Sequence, residues 1–140
     1  LDSVWCKIEK GLDALKCPVF FTGHSLGAAL ATLAAARRLP QDQPEAVYTF
    51  GSPRVGNSDF VASLGSIGTF IHRVVDDEDI VTTLPPAELG FEHAGTLHKL
   101  TAPACSGSGF SWLSGLFRPP KLLADHAPIN YVDRIRTSLP

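Results

Sequence analysis

Ser25 stands in Thr22-Gly23-His24-Ser25-Leu26-Gly27-Ala28-Ala29-Leu30, preceded by the apolar run Val19-Phe20-Phe21 and followed by an alanine-rich stretch ending at Arg37-Arg38. An apolar run, then Gly-x-Ser-x-Gly, then a helix-forming stretch is the sequence form of a nucleophile elbow. A serine held on a sharp strand-to-helix turn has a strained backbone, so the residues two before and two after it must be small. Gly23 and Gly27 meet that need, and Ala28 and Ala29 let the helix lie close to the sheet. The turn aims the backbone N–H groups of the helix start at the serine oxygen, where negative charge would develop. The same residues also allow a plainer reading, a tight turn in which Ser25 caps a helix.

A serine hydroxyl is a poor nucleophile until a base takes its proton, and histidine titrates nearest neutrality. There are five histidines: His24, His72, His93, His98 and His126. His24 adjoins the serine on the turn and is expected to point away from it, packing or meeting solvent. His72 and His98 fall within expected strands and read as structural. His126 lies in Asp125-His126-Ala127-Pro128, just before the last helix, and a late loop histidine suits the chain order serine, acid, histidine. His93 remains the rival base. The orienting acid must bond the imidazole N–H and stabilise the imidazolium. Within Asp76-Asp77-Glu78-Asp79, Asp79 leads into Ile80-Val81 and back towards the body, so it is expected to be buried and the other three solvated. Asp125 is the rival acid, disfavoured because adjacent residues rarely meet head to head.

These groups must be carried by elements. The pattern predicts a helix over residues 2–16 with Val4, Trp5, Ile8, Leu12 and Leu15 on one face, a strand from Val19 to Thr22, and a helix from Leu26 to Leu39 stopped by Pro40. A run apolar on both faces, such as Val19 to Thr22, suits a central parallel strand. A strand from Ala46 to Phe50 follows, then the loop Gly51–Asn57 and a short helix capped by Ser58. Strands from Thr69 to Val75 and from Ala94 to Leu100 come next, and the last helix runs from about Ala127 to Thr137 with Pro128 in its first turn. Strand–helix–strand alternation predicts an α/β fold with a mostly parallel sheet and right-handed crossovers, which gathers functional groups at the carboxyl ends of strands.

At 140 residues, 44% hydrophobic and 19% charged, the chain fits one domain spanning 1–140. A net charge of −2 gives no reason to expect nucleic acid, and no apolar run nears the roughly 20 residues of a membrane span. The chain opens at Leu1 and holds no methionine, so it is expected to be part of a longer protein, with any secretory signal upstream. Cys6, Cys17 and Cys105 lack metal-ligand spacing and are expected to be small buried apolar residues. Gly107 to Phe117 interleaves Phe110, Trp112, Leu113, Leu116 and Phe117 with glycine and serine before Arg118 and Lys121. That stretch is expected either to pack on the body or to touch a lipid–water interface.

Four blocks in order resemble the class 3 lipase family, the α/β-hydrolases typified by filamentous-fungal triacylglycerol lipases. They are Thr22 to Ala28; Tyr48-Thr49-Phe50-Gly51-Ser52-Pro53-Arg54-Val55-Gly56-Asn57; Arg73-Val74-Val75 through Asp79-Ile80-Val81 to Leu84-Pro85-Pro86; and Asp125-His126 with Tyr131 after it. The resemblance implies an α/β-hydrolase-type sheet that is incomplete at its N-terminal side. It implies Ser25 as nucleophile, Asp79 as acid, His126 as base, Leu26 N–H as one oxyanion donor, and no metal or organic cofactor. It also implies that the Gly51–Asn57 loop shapes the site and that His93 is structural. Thr82-Thr83 stands where the family has a proline, so a looser turn is expected there. The family's second oxyanion donor, its lid and the strand before the first helix lie upstream of the elbow, which would leave an unpaired edge at the first strand here. The implied activity is hydrolysis of ester lipids of the acylglycerol kind. The alternatives are a phospholipase or short-chain esterase of the same family, acyl transfer to an alcohol, and a non-catalytic truncated fragment. Compartment is not indicated.

Overall fold

Alternation along four short strands decides which side chains meet the helices and which reach the site. A computed structural model describes residues 2–76, 79–100 and 125–138. Its elements in chain order are α1 (Asp2–Asp13), β1 (Phe20–His24), α2 (Leu26–Arg38), β2 (Ala46–Phe50), α3 (Ser58–Ser63), β3 (Ile71–Asp76), β4 (Thr96–Leu100) and α4 (Pro128–Ser138), with 3-10 turns at Gly65–Phe70, Ile80–Thr83 and Ala87–Leu89. The strands form a sheet in the order β1-β2-β3-β4, every pair parallel. The α/β layout expected from the sequence is therefore present.

On one face of the sheet, Val47 and Ile71 are fully buried and meet Ala31 and Ala35 of α2, with Leu64 and Ala94 completing the cluster and Phe21, Phe60 and Val61 packed against it. Alanine on the buried side of α2 leaves no bulk between helix and sheet, so their backbones approach closely. Trp5 anchors α1. The Arg37 guanidinium lies 5.1 Å from the centre of its ring, and Arg38 Nη1 bonds Asp13 at 2.6 Å. Of the apolar face expected for α1, only Trp5 is buried, while Val4 and Leu15 are exposed.

Several expectations need correction. Among the described residues β1 is not the central strand its apolar run suggested but an outer one, the unpaired edge that the family resemblance implied, and its Phe20 is 58% exposed. Asn57, not Ser58, caps α3, since its side chain accepts the Phe60 N–H at 3.0 Å. Cys6 and Cys17 are exposed free thiols, Cys6 on α1 and Cys17 in the connection to β1. Cys105 and the aromatic stretch from Gly107 to Phe117, with Arg118 and Lys121, lie outside the described residues, as do Asp77 and Glu78.

Candidate active site

Ser25 occupies the turn between β1 and α2 with φ 58° and ψ −128°, and it alone has positive φ among the described non-glycine residues. Such a conformation costs about 1–3 kcal/mol and persists only where its surroundings hold it. Here the Ser25 N–H bonds Phe50 O at 2.9 Å, continuing the ladder one residue beyond β1, and the Ser25 carbonyl accepts the Ala28 N–H at 2.9 Å. Gly23 is demanded by close approach: a Cβ there would lie 2.3 Å from Gly27 O. Gly27 is different. A Cβ at that position meets nothing within 4 Å, so of the two glycines only Gly23 answers to crowding among the described residues.

The structure brings three distant side chains into one chain of hydrogen bonds. The Ser25 hydroxyl donates to His126 Nε2 at 2.8 Å, and His126 Nδ1 donates to Asp79 Oδ2 at 2.9 Å. These partners fix the tautomer, with the proton on Nδ1 and the lone pair of Nε2 turned to the serine. Asp79 is 1% exposed, at the carboxyl end of β3. Its Oδ1 accepts the Val81 N–H at 2.9 Å, and its carbonyl accepts the Thr82 hydroxyl at 2.7 Å. Thr83 closes the same turn through Ile80 O at 2.7 Å. At Thr82-Thr83, where the sequence has no proline, each hydroxyl caps a carbonyl of the turn itself.

The loop after β2 closes around this chain. Gly51 has φ +58°, and a Cβ there would sit 2.7 Å from Asp79 Oδ2 and 3.2 Å from His126 Nδ1. Arg54, three residues on, ties the loop to the acid's loop: its N–H bonds Leu84 O at 2.7 Å, and its Nη1 bonds Pro85 O at 2.8 Å and also Thr83 O.

The rivals are accounted for. His93 Nε2 donates to Thr82 O at 2.8 Å, and burial, with the Arg73 charge beside it, holds its pKa down to about 4. His72 and His98 meet each other at 3.1 Å on the sheet face, with Tyr48 stacked on His72. Asp125 is buried but pairs with Arg134 Nη2 at 3.0 Å rather than with an imidazole. Asp76, expected to be solvated, is fully buried and pairs with Arg134 Nη1. It ends β3 beneath α4, where its side chain cannot reach water.

Two residues at the site had no role assigned from the sequence. His24 donates from Nε2 to the His126 carbonyl at 2.9 Å, and its ring lies 4.7 Å from that of His126; burial holds its pKa below the ordinary histidine value. It therefore turns from Ser25 and packs, as expected, and what it packs on is His126. Tyr131 is buried; its hydroxyl donates to Asp79 Oδ2 at 2.6 Å and accepts the Asp76 N–H at 3.0 Å. Burial, with the bond to Asp79, pushes its pKa well above the usual tyrosine value. The only signal for Tyr131 was its place in the fourth motif block, since its partners lie more than 50 residues away in the chain.

Two hollows lie near this site. One, of about 210 Å³, lies behind His24 and Tyr131 and does not include Ser25. The other, an open groove of about 430 Å³, includes Ser25 and is walled by Leu26, Leu33, Val55, Val81 and Leu84, with Arg54 as its charged member. Leu26 heads α2 at the groove, so its N–H belongs to the first turn, where helix N–H groups lack partners within the helix. No group of three or more His, Cys, Asp or Glu among the described residues is arranged to hold a metal ion. No helix among them is long and apolar enough to cross a membrane.

Known proteins resemble this chain in sequence and in fold. The chain is 48% identical over 98 residues to secreted mono- and diacylglycerol lipase 1 of Fusarium solani, a match covering 66% of this chain and 29% of that protein. The crystal structure of mono- and diacylglycerol lipase from Aspergillus oryzae matches with TM-score 0.67 and 32% identity, over 73% of this chain and 39% of that one. Lipase II from Rhizopus niveus matches with TM-score 0.65 and 30% identity, over 89% of this chain and 52% of that one. The chain spans less than a third of the length of the curated relatives it matches. The fold is that of the α/β-hydrolase lipases. Residues 2–89 match the family described as Lipase (class 3), and with the sheet, the elbow and these relatives in agreement, the chain belongs to the class 3 lipase family.

Proposed function

We propose that this chain carries the reacting groups of a serine carboxylester hydrolase that acts on acylglycerol-like lipids. The observation that supports it most is the unbroken line Ser25 Oγ–His126 Nε2 and His126 Nδ1–Asp79 Oδ2, at 2.8 and 2.9 Å, opening on an apolar groove. Ser25 Oγ attacks the ester carbonyl carbon while its proton passes to His126 Nε2. The carbonyl oxygen becomes an oxyanion, and Leu26 N–H, at the positive end of α2, donates to it. His126 then delivers its proton to the alkoxide oxygen as the C–O bond breaks, releasing the alcohol and leaving Ser25 acylated. Water attacks the acyl carbon, His126 takes one water proton and returns it to Ser25 Oγ, and the carboxylic acid leaves. Asp79 stays ionised throughout and stabilises the imidazolium.

The groove walls favour an acyl chain over a polar substrate, because the side chains of Leu26, Leu33, Val55, Val81 and Leu84 offer no hydrogen bonds to offset its desolvation and Arg54 Nη1 is already bonded to Thr83 O and Pro85 O. Glycerides are the leading substrate class, with phospholipids and short-chain esters as the other esters the same chemistry would cleave. A fluorophosphonate probe, applied to the protein that carries this chain, is expected to label Ser25 covalently. Labelling of Ser25→Ala as strong as that of the parent would refute the assignment.

A further inference from the structure

Arg134 belongs to none of the motif blocks, yet it joins the two segments that present the acid and the base. It lies three residues after Tyr131 on α4. One nitrogen of its guanidinium, Nη1, pairs with Asp76, the last residue of β3, and the other, Nη2, donates to Asp125 Oδ1 at 3.0 Å. Both carboxylates are buried, and the arginine side chain is itself 18% exposed. Asp76 holds the acid's loop, since its carbonyl accepts the Asp79 N–H at 2.8 Å. Asp125 immediately precedes His126. One rigid fork therefore spans from the carboxyl end of β3 to the turn that carries the imidazole.

The His126–Asp79 bond joins residues 47 apart in sequence, so nothing local fixes their separation. Two buried carboxylates and a partly buried guanidinium are a costly way to fill that space: apolar side chains of equal volume are often as stabilising or more so. What the ionic arrangement adds is direction, because a planar guanidinium binds two carboxylates at a set angle where an ammonium would act as a point charge. Resting on the serine-hydrolase reading above, we infer that Arg134 is a positioning residue for His126, clamping Asp125 to Asp76 so that Nε2 stays on line with Ser25. His24 and Tyr131 touch the base and the acid directly; Arg134 acts through Asp125 and Asp76.

The test uses the protein that carries this chain, with p-nitrophenyl butyrate as substrate and a fluorophosphonate burst to count competent sites. In Arg134→Met, kcat per titrated site is expected to fall roughly 10- to 100-fold with KM within about twofold, the size of effect that a small misplacement of a reacting group produces. The triple variant Asp76→Asn, Arg134→Met, Asp125→Asn leaves no carboxylate alone and is expected to remain equally slow, because the tether is still gone. It also carries the test should the single variant not fold. Parental kcat per titrated site in either variant, or a loss confined to KM, overturns the inference. Ser25→Ala in the same assay reads the underlying assignment separately. If its turnover stays parental, the serine reading fails; if its turnover is lost while Arg134→Met is parental, only the role of Arg134 fails.

Discussion

The body of the sheet and its carboxyl rim are built on opposite principles. In the body, Ala31, Ala35, Val47, Leu64 and Ile71 meet through shape alone. At the rim, only ångströms away along the same strands, the buried groups are Asp76, Asp79, Asp125 and Tyr131, and the hydrogen bonds described above run through each of them. The body draws stability from apolar area removed from water, a term that tolerates small shifts. The rim spends some of that stability on desolvated charge and on a strained serine, and in return fixes directions that dispersion forces cannot fix. Substitutions should therefore separate cleanly, with folding lost in the body and turnover lost at the rim.

The sharpest separation is expected at Ser25. Ser25→Gly keeps the turn but removes the nucleophile, so turnover should fall on the order of 10⁴-fold or more. Glycine accepts φ 58° without strain, so stability should rise by about 1 kcal/mol. Chemical denaturation read beside an ester assay checks both signs, and a destabilised Ser25→Gly would break the comparison. Next comes a matched pair. Ile71→Ala, in the body, is expected to lose about 2–5 kcal/mol of stability while the folded fraction turns over normally. Gly51→Ala, at the rim, adds a methyl 2.7 Å from Asp79 Oδ2 at positive φ, and is expected to lose about 1–3 kcal/mol together with roughly 100-fold in kcat. Normal kcat in Gly51→Ala, or a kcat loss in folded Ile71→Ala, would erase the distinction.

The smallest effect concerns His93, which bonds Thr82 O in the turn that follows Asp79. His93 has a folded pKa of about 4 against an ordinary 6.5, so below pH 6.5 the unfolded chain takes up the proton first. The stability tied to neutral His93 is complete above pH 6.5 and is lost progressively as the pH falls towards 4. The loss should be about 1–2 kcal/mol, roughly half of what 1.4 kcal/mol per pKa unit gives, because the ring is only half-buried. His93→Gln, whose amide N–H can still reach Thr82 O, should flatten urea stability over that range. An unchanged slope would count against a buried neutral ring.

What could be read before folding was whatever depends on near neighbours in the chain. The turn at Ser25 was legible because its sterics involve residues two to four positions apart, and the Gly23–Gly27 contact is of that kind. The strand at Ala46–Phe50 and the helix that follows Ser25 were legible through unbroken apolar or alanine-rich runs bounded by Pro40 and Gly51. The burial of Asp76 was not legible. It ends a strand at the head of an acidic run, and only α4, arriving from more than 50 residues later, covers it and brings Arg134. The exposure of Cys6 was missed for the converse reason: apolar character marks a residue as able to be buried, but a neighbour must be there to bury it.

The amino-acid sequence by itself determined the elbow, the order of strands and helices, and through the motif blocks the family, since each depends on local sterics, periodicity or a linear pattern. The tertiary structure alone decided that His24 would pack on His126, that Tyr131 would bond Asp79, and that Arg134 would bridge Asp76 and Asp125. Those contacts form between segments whose separation is set by the sheet and by α4 docking upon it, and no spacing along the chain encodes such a distance.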